Sequence, residues 1–153
     1  MNSNSLIEAN RATVTRFLNG AHSGNLSVIE ETVAGHIVTH GFPGGQNPAS
    51  HEQYRQFFVD FGKSFSGMDY KPTAMIANTE RVAVRFEIAV THTGPFAGVA
   101  ATGRRVTFTG MAIYRMENAK IAGTWLQLDE LAILAQIGAV SFNGAESGNA
   151  AAA

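Results

Sequence analysis

Between Thr124 and Gly138 the chain reads TWLQLDELAILAQIG, which sets two adjacent carboxylates, Asp129 and Glu130, inside an otherwise apolar run. Burying an ionised carboxylate without a partner is costly, so Asp129 either caps a helix or stands at the edge of an apolar cavity. Strand alternation ahead of it puts Trp125, Gln127 and Asp129 on one side and Thr124, Leu126 and Leu128 on the other. If the first side is the concave face of a bent sheet roofed by helices, a ring, an amide and an acid line a mostly apolar pocket. Desolvation would there raise an Asp from its ordinary value of about 3.9 toward the working pH, so that it both takes and returns a proton. As an N-cap, Asp129 would instead satisfy backbone amides at the surface, although Ala132 does not complete a capping box. The two roles are compatible.

Other polar residues offer less specific chemistry. His36 and His40 have the i, i+4 spacing of two zinc ligands on a helix, but Ile37, Val38 and Thr39 between them favour a strand and no third ligand follows. His40 reads either as a pocket-facing hydrogen-bonding group or as a histidine bonded to the Gly/Pro loop behind it. His92, flanked by Thr91 and Thr93 where a strand turns into a loop, either steers a substrate oxygen or fixes the turn. Arg85 and Glu87 share a strand face. They form a solvated ion pair if that face looks outward, and Arg85 becomes an oxyanion partner if it looks inward. Tyr54 and Phe58, on a helix rich in phenylalanine, are candidates for a cavity wall. GFPGG lacks the Lys-Ser/Thr of a phosphate-binding loop, and no Gly-x-Ser-x-Gly elbow occurs.

These groups need a scaffold. With 153 residues, 45% of them hydrophobic, the chain can bury one core, and a single domain over residues 1–140 is expected. A formal charge of −1 provides no basic field for nucleic acid or anionic lipid. The absence of cysteine excludes disulfides and thiolate sites, and with no signal peptide or apolar span the chain reads as cytoplasmic. Apolar spacing predicts a helix from Leu6 to Leu18 stopped by Asn19-Gly20, and a short one from an Asn25 cap to Val33. HIVTH then reads as a strand, residues 41–50 as a loop, and the segment after Ser50 as a third helix. Four alternating strands follow over residues 70–77, 81–92, 105–116 and 120–128, an antiparallel meander, before a closing helix from Asp129 to Ile137. The fold class is α+β, and residues 141–153 read as a disordered tail.

In this order the chain resembles the SnoaL-like polyketide cyclases, often labelled ester cyclases, of the nuclear transport factor 2-like superfamily. The resemblance covers roughly residues 8–138 and rests on Thr91-His92-Thr93-Gly94, Thr102-Gly103, Tyr114-Arg115, Lys120-Ile121, Trp125 with Asp129 four residues on, and Gln136-Ile137-Gly138. It implies a cone-shaped α+β barrel, a curved antiparallel sheet around a cavity closed by the N-terminal helices. It also implies an intramolecular aldol-type cyclisation of a polycyclic aromatic or other hydrophobic carbonyl substrate, without metal or organic cofactor, with Asp129 as acid/base, Trp125 and Gln127 shaping the cavity, and His40 and His92 as orienters. Departures from the family pattern are FSGM, NTE and AATG in turns and Thr124 in place of an acidic or basic residue before the Trp. A hydroxylase of the same family, or a module that binds a hydrophobic small molecule without turnover, are the alternatives. Thr107, Thr109, Met111 and Ile113 mix polar and apolar character on an outer sheet face, and a homodimer is expected.

Overall fold

A computed structural model describes residues 2–142; most of the tail expected from residue 141 lies outside the described residues. The elements run α1 (Ser3–His22), α2 (Val28–Thr32), β1 (Val33–His40), a helical turn at Pro43–Gly45, α3 (His51–Ser64), β2 (Phe65–Ala77), β3 (Arg81–His92), β4 (Arg105–Glu117), β5 (Lys120–Leu128) and α4 (Glu130–Gln136). The five strands form one curved, unclosed sheet in the order β1-β5-β4-β3-β2. Strands β2 to β5 pair antiparallel as the alternation predicts, whereas β1 joins β5 in parallel, so the sheet is mixed rather than purely antiparallel. The chain between β1 and β5, α3 followed by strands β2 to β4, supplies the long connection that a parallel pair requires.

Local chemistry accounts for the helix starts. Asn2 Oδ1 accepts from Ser5 N at 2.8 Å, Ser50 Oγ from Gln53 N at 3.2 Å, and Asp129 Oδ1 from Ala132 N at 3.0 Å, each satisfying an otherwise unpaired first-turn amide. Asn25 does not cap α2; it accepts from the Ser27 hydroxyl at 2.7 Å, and the helix begins only at Val28.

The expected stop at Asn19-Gly20 is also not observed, since α1 runs on to His22. Gly20 is there for packing: a Cβ on it would lie 2.8 Å from Val28 Cβ and Cγ1, so glycine lets α2 close onto α1. Consequently His22 is a helical residue one turn beyond Leu18, in line with the buried stripe Val14, Phe17, Leu18 and Ala21.

Even-numbered residues of β3 and β4, from Val82 to His92 and Val106 to Met116, face the core, and at Gly110 a Cβ would come within 2.5 Å of the Phe86 ring. Register then carries this face into β5: Tyr114 lies opposite Thr124 and Ile113 opposite Trp125. Where β5 ends, the Gln136 side chain takes over its pairing, accepting from Thr107 N at 2.9 Å and donating to Thr107 O at 2.7 Å. No helix among the described residues is long and apolar enough to cross a membrane.

Candidate active site

The concave sheet face and the inner sides of α1 and α3 enclose a cavity. Its wall is aromatic, with Phe17 from α1, Tyr54, Phe57, Phe58 and Phe61 from α3, Phe86 from β3 and Phe108 and Tyr114 from β4, completed by aliphatic Ile88, Leu126 and Leu128. The rings pack edge to face: Phe17 lies 5.6 Å from Tyr54 and 5.9 Å from Tyr114 between centroids. The volume is about 60 Å³, and with a water needing roughly 10–15 Å³ this is room for about four waters. A ring-sized guest therefore enters only when wall side chains move. Phe57 and Phe61 also line an outer depression with Pro43, Gly44, Phe96 and Leu134, so these two rings stand between cavity and surface.

Four polar side chains interrupt the apolar wall: His22, Tyr54, Tyr114 and Thr124. His22 Nδ1 donates to the Leu18 carbonyl at 2.7 Å, the i−4 bond that the extra turn of α1 makes available, which leaves Nε2 as the acceptor of a neutral ring. The ring is stacked on Tyr70 at 3.9 Å between centroids, nearly parallel, with Phe58 edge-on to it. Burial lowers the His22 pKa to about 4, opposed by the bond to Leu18. Burial likewise pushes the Tyr54 phenol up, against the Thr124 hydroxyl beside it, and pushes Tyr114 up further with the phenols of Tyr54 and Tyr70 adding to the effect. Thr124 Oγ1 and Tyr70 Oη are buried with no hydrogen-bond partner among the described residues.

Tyr54 and Phe58 lie on the cavity wall. Trp125, Gln127 and Asp129 do not: their shared face is as the alternation predicts, but it is the exposed outer one, and the cavity receives Thr124, Leu126 and Leu128 instead. The reason is the register, because Tyr114 faces inward and fixes Thr124 beside it. Asp129 caps α4 and its backbone amide donates to Thr109 O at 3.0 Å, while the exposed side chain borders an open depression with Lys71 and Glu87.

His40 is exposed and stacks on Trp125 at 5.3 Å, its register partner, on the outer face. Arg85 is also on that face, donating to Thr73 Oγ1 at 2.7 Å and lying 3.4 Å from Glu87, so it is no inward oxyanion partner. His92 is fully buried but lies outside the cavity lining. The Thr102 amide donates to its Nδ1 at 3.2 Å and the Thr102 hydroxyl lies 2.9 Å away, which holds the loop over residues 93–104. His36 pairs with Glu117 at 2.8 Å, and the described residues contain no cluster of three His, Cys, Asp or Glu side chains suited to a metal.

The residues that sequence reasoning passed over are His22, Tyr114 and Thr124. For Tyr114 and Thr124 the signal was the β3 and β4 alternation carried across by register. For His22 it was the apolar stripe of α1, which continues past the glycine.

Solved structures share this architecture. A SnoaL-like polyketide cyclase, provisionally so described, from Jannaschia sp. CCS1 superposes with a TM-score of 0.81 at 20% identity, over 92% of this chain and 99% of that one. IdmH of Streptomyces antibioticus, provisionally described as a polyketide cyclase, gives 0.73 at 24% identity over 84% and 98%. AclR of Streptomyces galilaeus, provisionally described as a hydroxylase, gives 0.77 at 21% identity over 88% and 99%. No curated protein matches the chain. A family model described as SnoaL-like polyketide cyclase matches residues 12–137, nearly the whole of the described chain, and the protein belongs to that family.

Proposed function

We propose that the protein binds an apolar, carbonyl-bearing small molecule in the aromatic cavity and closes a ring in it by an aldol-type step that needs no cofactor, with His22 as the proton acceptor in place of Asp129. The observation that carries this reading is the neutral His22 imidazole, locked by Leu18 so that Nε2 is its acceptor, in the wall of a cavity whose lining carries no carboxylate among the described residues. A carbon acid flanked by carbonyls is already activated, so the protein has chiefly to exclude water, orient the chain ends and move one proton.

In this reading Nε2 takes the proton from the carbon between the carbonyls, and the C–H electron pair passes to the adjacent carbonyl oxygen as an enolate. The carbanionic carbon then attacks a third carbonyl farther along the same molecule, forming the C–C bond of the new ring while the π pair of that carbonyl moves onto its oxygen. The imidazolium returns its proton there. Burial makes His22 a weak base toward water, but the enolate is formed beside it in a medium of low dielectric, where the attraction within the new ion pair offsets part of that cost. His22→Gln is expected to lower kcat by about a hundredfold or more on β-dicarbonyl ketones that close spontaneously, while the bound ligand's Kd changes little. An unchanged kcat would remove His22 from the chemistry.

The uncharged lining also favours a second reading, a carrier that holds the same class of molecule without turning it over. Binding of such ketones by the wild type with no rate above the spontaneous closure would select it.

The outer sheet face supports a homodimer. Val38, Met111, Ile113 and Trp125 are 52%, 60%, 42% and 39% exposed, and Ile113 pairs with Trp125, which in turn pairs with His40, so the apolar surface is continuous across three strands. Arg85 with Glu87 and Arg115 with Glu117 flank it with both signs of charge, as a face that meets its own copy requires. Trp125 is the single tryptophan, so its emission is expected to shift to the blue as the protein is concentrated, and Ile113→Glu to hold the chain monomeric in sedimentation. A monomer of the wild type at tens of micromolar would refute the dimer.

A further inference from the structure

We infer that the hydroxyls of Thr124, Tyr54 and Tyr114 form a receptor for one hydrogen-bond-accepting oxygen, a ketone or its enolate, on a flat apolar ring ligand, and so set which ligands the cavity prefers. The inference deepens the reading above and rests on it in one respect, that the cavity is the ligand site.

Thr124 Oγ1 is fully buried in the wall of an apolar cavity and makes no hydrogen bond of normal geometry among the described residues, although the Tyr54 phenol lies beside it. Native interiors pair nearly all such atoms, so a hydroxyl left without a well-formed bond in a cavity wall is free to bond to what the cavity holds. Thr124 is held at this spot by its register partner Tyr114, also buried and also in the lining, so two hydroxyls on adjacent strands face the same space. Tyr54 enters from α3 with its phenol beside the Thr124 hydroxyl, and the Phe17 ring packs edge-on against both tyrosines. Behind them Tyr70 supplies a further buried hydroxyl without a partner, on the ring that stacks against His22.

All these hydroxyls can donate, and burial keeps the three phenols protonated through neutral pH. A cavity lined by hydroxyl donors, with the Nε2 of His22 as acceptor, is complementary to a carbonyl whose neighbouring carbon carries an acidic hydrogen. The oxygen satisfies the donors and the C–H lies toward the imidazole. Enolisation puts negative charge on that same oxygen, where donors already in place act without reorganisation.

The test compares two probes of one skeleton, 1-tetralone and tetralin, which differ by a carbonyl in place of a methylene, titrated into the full chain by calorimetry. The wild type is expected to bind 1-tetralone about tenfold more tightly than tetralin, and Thr124→Val to abolish that preference while leaving tetralin affinity unchanged. Tyr114→Phe is expected to narrow the same ratio. Because valine removes a hydroxyl that makes no well-formed hydrogen bond, Thr124→Val should unfold at the same or a higher temperature than the wild type, which separates lost recognition from lost folding. Equal affinity for the two probes in the wild type, or an unaltered ratio in both variants, overturns the receptor while leaving the cavity as the ligand site. Failure of both probes to bind overturns the receptor together with the cavity reading.

Discussion

Phe17→Ala is expected to lower the free energy of unfolding by about 3–5 kcal/mol, the upper range for truncation of a buried aromatic. Phe17 is 2% exposed and makes edge-to-face contacts with Tyr54, Phe58 and Tyr114, so it ties α1 to α3 and to the sheet at once. Its loss leaves a void that cannot collapse, because the space it vacates opens directly into a cavity that is already there. The same variant should gain affinity for a one-ring hydrocarbon such as benzene and recover part of its stability when saturated with it, as ligand binding to the folded state requires. Urea unfolding with and without benzene measures both effects. A cost below about 1 kcal/mol would mean that α1 is not seated as described.

The second large effect is a loss of stability in mild acid that belongs to His22. Its folded pKa, about 4, lies below the unfolded value near 6.5. Between those two values the unfolded chain binds the proton and the folded chain does not, so stability rises with pH across the window. The contribution of the buried neutral ring is fully present above about pH 6.5 and is lost as the pH falls toward 4, reaching about 2–3 kcal/mol by pH 4.5. Among the described residues, the titratable side chains the structure sets against or opposite this ring are the phenols of Tyr54, Tyr70 and Tyr114, held above their usual range and neutral throughout the window. His22→Gln should therefore flatten the pH 7 to 4.5 dependence of the unfolding free energy from urea titration by that amount. An unchanged slope would place the imidazole in contact with water.

Strands β3, β4 and β5 were legible almost residue for residue, since period-2 alternation between a buried and an exposed face reports their length, whereas β2 begins at Phe65 rather than at residue 70 because it is mostly exposed and carries no such alternation. Two further features were not legible. Alternation in β5 separates Trp125, Gln127 and Asp129 from Thr124, Leu126 and Leu128, yet nothing within one strand says which set faces the helices. An exposed tryptophan and a leucine are equally at home on either side of a sheet that has a second, apolar outer face. The neighbouring strand resolves it: Met111 and Ile113 read as outer residues, and Ile113 pairs with Trp125.

The second feature is Gly20, whose sequence neighbour Asn19 gives it every mark of a helix stop. It is instead the point where Val28 approaches, a contact that lies outside any local pattern. The continuation of α1 beyond it brings His22 to the cavity, and with the stop in place that histidine had no role. The chemistry of the candidate site was thus hidden by one packing contact and one register, both tertiary.

The central claim is that proton transfer takes place on the concave side of the sheet, out of reach of Asp129. The direct measurement is the rate of ring closure by Asp129→Asn on the β-dicarbonyl ketones used for His22→Gln. Asparagine is as good an N-cap as aspartate, so the variant keeps α4, and the account predicts wild-type kcat. A fall of a hundredfold in the folded variant would contradict it and return the acid/base role to the outer carboxylate.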